Sequence, residues 1–101
     1  MKSFQGKIAV ITGAGSGIGR EVALQLAARC ARLALCDVDE AGLGETAGLL
    51  QGTPVSVQTY IVDVADRGRM TVLAEEVTAD LGQVDLLFNI AGVTLKPQYD
   101  V

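Results

Sequence analysis

Residues 7–19 read KIAVITGAGSGIG, and the change of character at position 13 decides the fold. The first six, 7–12, form a short continuous run rich in β-branched and apolar side chains, the pattern of a strand covered by other structure on both faces. Glycines then occupy positions 13, 15, 17 and 19. Beyond them, from Gly17 to about Arg29, the positions Ile18, Val22, Leu26 and Arg29 fall at helical spacing, with Val22 and Leu26 directed at the sheet. A strand, a glycine turn and a helix in that order open a βαβ unit.

The same rhythm continues along the chain. A second strand is expected over 32–36, ending at Asp37, and Asp39 offers an N-cap for a helix over 40–50. That helix contains Gly42, Gly44 and Gly48, each costing about 1 kcal/mol relative to alanine, so its stability must come from packing on the sheet. QGTP at 51–54 signals a turn before a third strand over 55–62. Asp66 then caps a third helix, whose Met70, Leu73, Val77 and Leu81 share one face while Glu75, Glu76 and Asp80 turn outward. Gly82 stands where a residue just past a helix end belongs. VDLLFN at 84–89 reads as a fourth strand. The expected architecture is α/β, a Rossmann-like doubly wound parallel sheet in part, with all of residues 1–101 in one dinucleotide-binding domain.

The glycine turn has its own chemistry. Gly13 permits a tight exit from the strand, while Gly17 and Gly19 let a ligand and the sheet approach the helix closely. Free backbone N–H groups and the positive end of the helix dipole then suit a pyrophosphate, even on a chain with formal charge −4. Asp37 follows eighteen positions after Gly19, at the carboxyl end of the second strand, near the spacing of a carboxylate that accepts from ribose hydroxyls. A 2′-phosphate there would meet like charge, so NAD(H) is favoured over NADP(H). The plainer reading of Asp37 is a solvated loop carboxylate or a helix cap.

TGxxxGxG over 12–19, with three residues between its first two glycines, resembles the short-chain dehydrogenase/reductase family. Asp63–Val64 and Asn89–Ile90–Ala91–Gly92 resemble two further family elements in the expected order. The resemblance implies the sheet order 3-2-1-4, NAD as cofactor, and cofactor-binding roles for Gly13, Ser16, Gly17, Ile18, Gly19, Asp37, Asp63, Val64, Asn89, Ala91 and Gly92. Ser16 fits NAD(H), because members using NADP(H) often carry a basic residue there. Asp63 would hydrogen-bond the adenine amino group and the Val64 N–H a ring nitrogen, although Asp63 could instead cap the next helix, a role Asp66 fills as well. Asn89, Ala91 and Gly92 would lie beside the adenosine ribose and brace the central strands. Ile90 departs from the usual Asn-Asn-Ala-Gly and removes one polar side chain.

The resemblance further implies an oxidoreductase that moves a hydride between a nicotinamide and a hydroxyl or carbonyl substrate. The family's catalytic Ser and Tyr-x-x-x-Lys are not found within these 101 residues: Val64 stands at the lysine position after Tyr60, and Tyr99 is two residues from the end. Two readings stay open, the amino-terminal half of an NAD-dependent oxidoreductase and a non-catalytic nucleotide-binding or interaction module. No turnover is expected of the 101 residues alone.

Composition excludes other classes. The acidic balance and lack of a basic cluster argue against nucleic acid. No apolar run approaches the roughly 20 residues of a membrane span, and MKSFQGK contains no signal-like apolar segment, so a cytoplasmic location is expected. There is no histidine, and Cys30 and Cys36 read as buried or half-buried thiols rather than a disulfide or metal site. The fourth strand, apolar and at an edge that the family covers with a fifth strand, points to a homo-oligomer formed through that edge, or to marginal stability, unless the chain is a portion of a longer polypeptide.

Overall fold

The structure, a computed structural model, describes residues 4–29 and 31–90. Seven elements follow one another: β1 (Ile8–Thr12), α1 (Gly17–Ala28), β2 (Arg32–Asp37), α2 (Glu40–Leu49), β3 (Val57–Ile61), α3 (Arg67–Asp80) and β4 (Leu86–Asn89). The four strands form one parallel sheet in the order β3-β2-β1-β4. The order in which strands are added therefore reverses at β1, the arrangement that leaves a crevice beyond the carboxyl ends of the strands.

Alternation along the central strands builds two cores. Ala9 and Ile11 of β1 and Leu33 and Leu35 of β2 point to the face covered by α1 and α2, where they meet Ala23, Leu26, Ala27 and Leu43. Ile8, Val10, Ala34 and Cys36 point to the opposite face and meet Leu73 and Val77 of α3 with Tyr60 and Val62. Every residue of β1 is buried, as its unbroken apolar run requires. Removing a side chain such as Ile11 or Leu35 from water contributes about 1.5–3 kcal/mol. The buried stripe of α1 is small, Gly19, Ala23, Leu26 and Ala27. Val22 is only partly buried, so the helix lies closer to the sheet than a Val22–Leu26 stripe would allow.

The caps behave as their side chains dictate. Asp39 accepts from the Gly42 N–H at 3.0 Å and Asp66 from the Arg69 N–H at 3.0 Å, each closing the first turn of its helix. Gly82 takes a φ of +120° just past Leu81, the C-cap of α3. On α3, Glu75 and Asp80 are exposed as expected and Glu76 is half-buried; Glu76 pairs with Arg69 at 2.9 Å, and Asp80 accepts from the Tyr60 hydroxyl at 2.7 Å.

Two strands are shorter than their apolar runs. The fourth spans Leu86–Asn89 rather than 84–89; its flank still bonds β1 through the Asp85 N–H to the Ile8 carbonyl, while the Asp85 carboxylate accepts the Ile8 N–H, each at 2.9 Å. The third spans Val57–Ile61 rather than 55–62; its flanks still bond β2 through Leu33 N–H to the Ser56 carbonyl and Val62 N–H to the Asp37 carbonyl. Gly42 was read as loosening α2, yet a Cβ there would stand 2.5 Å from the Gly15 carbonyl oxygen, so its smallness lets α2 cross the glycine turn. Among the described residues no helix is long and apolar enough to cross a membrane, and no group of His, Cys, Asp and Glu could hold a metal ion. Cys36 is a buried free thiol; Cys30 lies outside the described residues.

Candidate functional site at the carboxyl ends of the strands

β1 leads straight into the glycine turn. The Ala14 N–H donates to the Cys36 carbonyl at 3.0 Å, which carries the β1–β2 pairing two residues beyond β1 before the chain swings into α1. A Cβ on Gly19 would overlap the Gly13 carbonyl oxygen and come within 2.6 Å of the Gly13 carbonyl carbon, so helix and strand exit touch through backbone alone. Gly17 differs. Its φ is +56° and a Cβ there would meet nothing within 4 Å, which leaves open space above the turn. Ser16, extended and exposed, is the N-cap of α1 but its side chain makes no capping bond. The hydroxyl is thus not committed to the first-turn amides that an anion would meet. Ile18 is 42 % exposed on the same rim.

Asp37 is built into this turn. Its Oδ2 accepts from the Gly15 N–H at 2.9 Å and its Oδ1 from the Asp39 N–H at 3.1 Å. A carboxylate oxygen can accept twice, so each retains capacity for a hydroxyl donor. Asp37 is therefore neither freely solvated nor a helix cap, the latter role belonging to Asp39. Gly13, Asp37, Val38, Val62, Asp63 and Val64 line a cavity of about 270 Å³ next to the turn. Three valines and a strand-end carboxylate provide the apolar walls and polar edge that suit a flat heteroaromatic ring. Asp63 does not cap α3; its Oδ1 accepts from the Ala65 N–H at 2.9 Å.

Across β1–β4, Thr12 and Asn89 are register partners, and the Thr12 hydroxyl donates to the Asn89 carboxamide oxygen at 2.9 Å. Asn89 thereby ties β4 to β1 at their carboxyl ends. Ala91 and Gly92 lie outside the described residues. A somewhat larger cavity, about 340 Å³, lies between α1 and β4 among Phe4, Val22, Leu26 and Phe88. It is mostly apolar and away from the glycine turn.

Sequence reasoning missed Gly15, Arg20, Gly42 and Thr46. Arg20 donates through Nη2 to the Gly15 carbonyl at 2.6 Å and through Nε to the Thr46 hydroxyl oxygen at 2.9 Å. Arg20 immediately follows Gly19, which was a local hint. Thr46 gave none, since nothing in its own helix distinguishes it.

The short chain dehydrogenase family profile matches residues 7–101. The chain belongs to the short-chain dehydrogenase family. The oxidoreductase SadH of Mycobacterium tuberculosis is 46 % identical over 100 residues, covering 99 % of this chain and 36 % of that protein. Estradiol 17-beta-dehydrogenase 11 of Homo sapiens is 42 % identical over 92 residues, covering 91 % of this chain and 31 % of that one. A short-chain dehydrogenase/reductase from Burkholderia phymatum, whose crystal structure is in complex with NAD, superposes with a TM-score of 0.81 at 40 % identity, over 86 % of this chain and 31 % of that one. The chain thus spans about a third of the length of these relatives.

Proposed function

We propose that residues 1–101 are the NAD(H)-binding domain of a short-chain dehydrogenase that oxidises or reduces a hydroxyl or carbonyl substrate. The observation that carries this reading is the bond between the Asp37 carboxylate and the Gly15 N–H, which fixes a ribose acceptor against the turn that would hold the pyrophosphate. In this reading Gly13, Ser16, Gly17, Ile18 and Gly19 cradle the pyrophosphate, and the exposed first turn of α1 supplies backbone donors. Asp37 accepts from the ribose hydroxyls. Asp63 and the Val64 N–H meet the adenine edge between Val38 and Val62, which line the same cavity. Asn89 holds β4 beside β1 so that the crevice keeps its shape, with Ala91 and Gly92 continuing that segment.

Once bound, the nicotinamide supplies a hydride acceptor or donor. The residues described above bind and orient its adenosine end. Selectivity for NAD(H) follows from Asp37, because a 2′-phosphate would be brought against a fixed carboxylate in a half-buried place. A cytoplasmic setting fits the buried free thiol of Cys36. Homo-oligomerisation fits β4, an edge strand of the described sheet with Leu87 64 % exposed. Light scattering on the 101-residue polypeptide should show mass rising with concentration, and a concentration-independent monomer would remove that part of the reading.

Fluorescence titration with NADH and NADPH tests the main claim. NADH should bind at least about tenfold more tightly, the size of one well-made hydrogen bond to a charged group. Tighter binding of NADPH, or a crystal complex with ADP-ribose away from Gly13–Gly17–Asp37, would overturn it.

A further inference from the structure

Arg20 and Thr46 do not line the adenosine cavity, yet a single line of hydrogen bonds joins them to Asp37, one of its two carboxylates. The Arg20 Nε–H donates to the Thr46 Oγ1 at 2.9 Å. The Thr46 hydroxyl donates to the Ala14 carbonyl at 2.7 Å. The N–H of that same Ala14–Gly15 peptide donates to the Asp37 Oδ2 at 2.9 Å. A cation stands at one end, a carboxylate at the other, and each donor points toward the carboxylate, the sense in which successive hydrogen bonds polarise and strengthen one another. Thr46 is fully buried, so its hydroxyl has no water to turn to. Its other acceptor, the Gly42 carbonyl, is farther away at 3.2 Å.

Arg20 grips the turn a second time. Its Nη2 donates to the Gly15 carbonyl at 2.6 Å, so the peptide on each side of Gly15 is held. The same nitrogen reaches the Gly42 carbonyl at 3.2 Å and pairs with the exposed Glu45 at 3.0 Å, which ties α2 into the arrangement. Gly15 leaves no slack: a Cβ there would lie 2.9 Å from the Asp37 Oδ2 and 3.2 Å from the Leu43 nitrogen. Rotation of the Ala14–Gly15 peptide would therefore move the carboxylate.

We infer that Arg20 and Thr46 are positioning residues that set nucleotide selectivity, by fixing the Ala14–Gly15 peptide and through it the Asp37 carboxylate. The inference rests on the adenosine site proposed above. With the line intact, the carboxylate is pre-organised to accept from ribose hydroxyls and to oppose a 2′-phosphate. With it broken, Asp37 keeps its charge but loses its fixed place, and the discrimination shrinks.

The test measures dissociation constants of NADH and NADPH by fluorescence on the unmodified protein and on Thr46→Val, Arg20→Lys and Thr46→Ser, with circular dichroism as a check on folding. Thr46→Val removes the central hydroxyl and should narrow the NADH preference about tenfold, chiefly by weakening NADH. Arg20→Lys keeps the charge but gives up the planar grip in which two separate nitrogens hold the Gly15 carbonyl and Thr46, and should narrow it less. Thr46→Ser restores the hydroxyl and should behave as the unmodified protein. Folded valine and lysine variants with an unchanged ratio would overturn the inference while leaving the adenosine site standing. Unfolding of both would overturn it too, since the line would then serve folding alone. Unmodified protein that binds neither dinucleotide would overturn the site and the inference together.

Discussion

Alanine at Gly17 and at Gly19 should separate ligand space from packing within three residues. At Gly17 the Cβ enters open space, so the only structural cost is the left-handed backbone at φ +56°, about 1–2 kcal/mol for a non-glycine residue. In a domain of this size each kcal/mol lowers Tm by about 4–8 °C. The fold should survive. At Gly19 the Cβ overlaps the Gly13 carbonyl oxygen and stands 2.6 Å from its carbon and 3.0 Å from the Ala14 Cα. All three are backbone atoms, so no side chain can swing aside, and the cost should reach or exceed the upper end of the 1–3 kcal/mol typical of overpacking. Against a total stability of about 5–15 kcal/mol that is a large fraction. Thermal and urea unfolding followed by circular dichroism gives both stabilities, and NADH titration gives affinity. Gly17→Ala should remain folded yet bind NADH at least about tenfold more weakly, because the methyl group occupies space needed by the pyrophosphate and one charge-assisted bond is lost. Gly19→Ala should be much the less stable. Equal stabilities would refute the close contact, and a folded Gly17→Ala protein with unchanged affinity would refute the placement of the pyrophosphate.

Asp37→Ala should weaken NADH at least about tenfold and NADPH less or not at all, as ribose acceptors are lost and repulsion is relieved; paired titrations with both dinucleotides read the ratio, and an unchanged ratio contradicts the role. Burial pushes the Cys36 thiol up to about 12, Arg69 opposing and Asp37 adding to the rise. In a Cys30→Ser background it should therefore resist a thiol-specific reagent at pH 8 until the protein unfolds; rapid labelling of folded protein would show the thiol exposed. Burial and then the Asp80 bond raise the Tyr60 hydroxyl above the usual phenol range. The native phenol thus keeps its proton where the unfolded one, near pH 10, loses it, so this contribution is full below about pH 10 and is lost as pH rises further. Tyr60→Phe should cost about 0.5–1.5 kcal/mol at neutral pH and flatten the alkaline limb of a stability profile measured by urea melts; an unchanged limb would refute it.

The legible parts of this protein are those set by local pattern. The β1 run, the caps Asp39 and Asp66, the apolar face of α3 and the position of Gly82 each follow from neighbours close in sequence, and family resemblance supplied the strand order. Strand ends were less legible. Position 85 read as an ordinary strand residue, but its carboxylate takes the Ile8 N–H from across the sheet, and only the pairing reveals that. Gly42 looked like a defect in a helix because its reason, the carbonyl of Gly15, belongs to another element. Of the candidate site, the glycine turn and Asp37 could be picked out by spacing. The Arg20–Thr46 contact could not, since it joins residues 26 positions apart with no periodicity to announce it.

The tie between Ile8 and Asp85 spans 77 positions, whereas the other neighbour of β1 begins at Arg32. Closing the longer loop costs about 1 kcal/mol more chain entropy than closing the shorter one. In kinetic terms β1, α1 and β2 form a unit that can assemble early, and β4 docks onto a preformed edge. β4 carries Asn89, so on this loop-length argument the bond from Thr12 that shapes the crevice should form late and open early. Amide hydrogen exchange should find β4 less protected than β1 and β2, with its opening free energy below that of global unfolding. Equal protection across all four strands would mean that the sheet opens as one piece. A crevice that opens before the rest of the sheet gives a dinucleotide a route in and out that does not require unfolding β1 or β2.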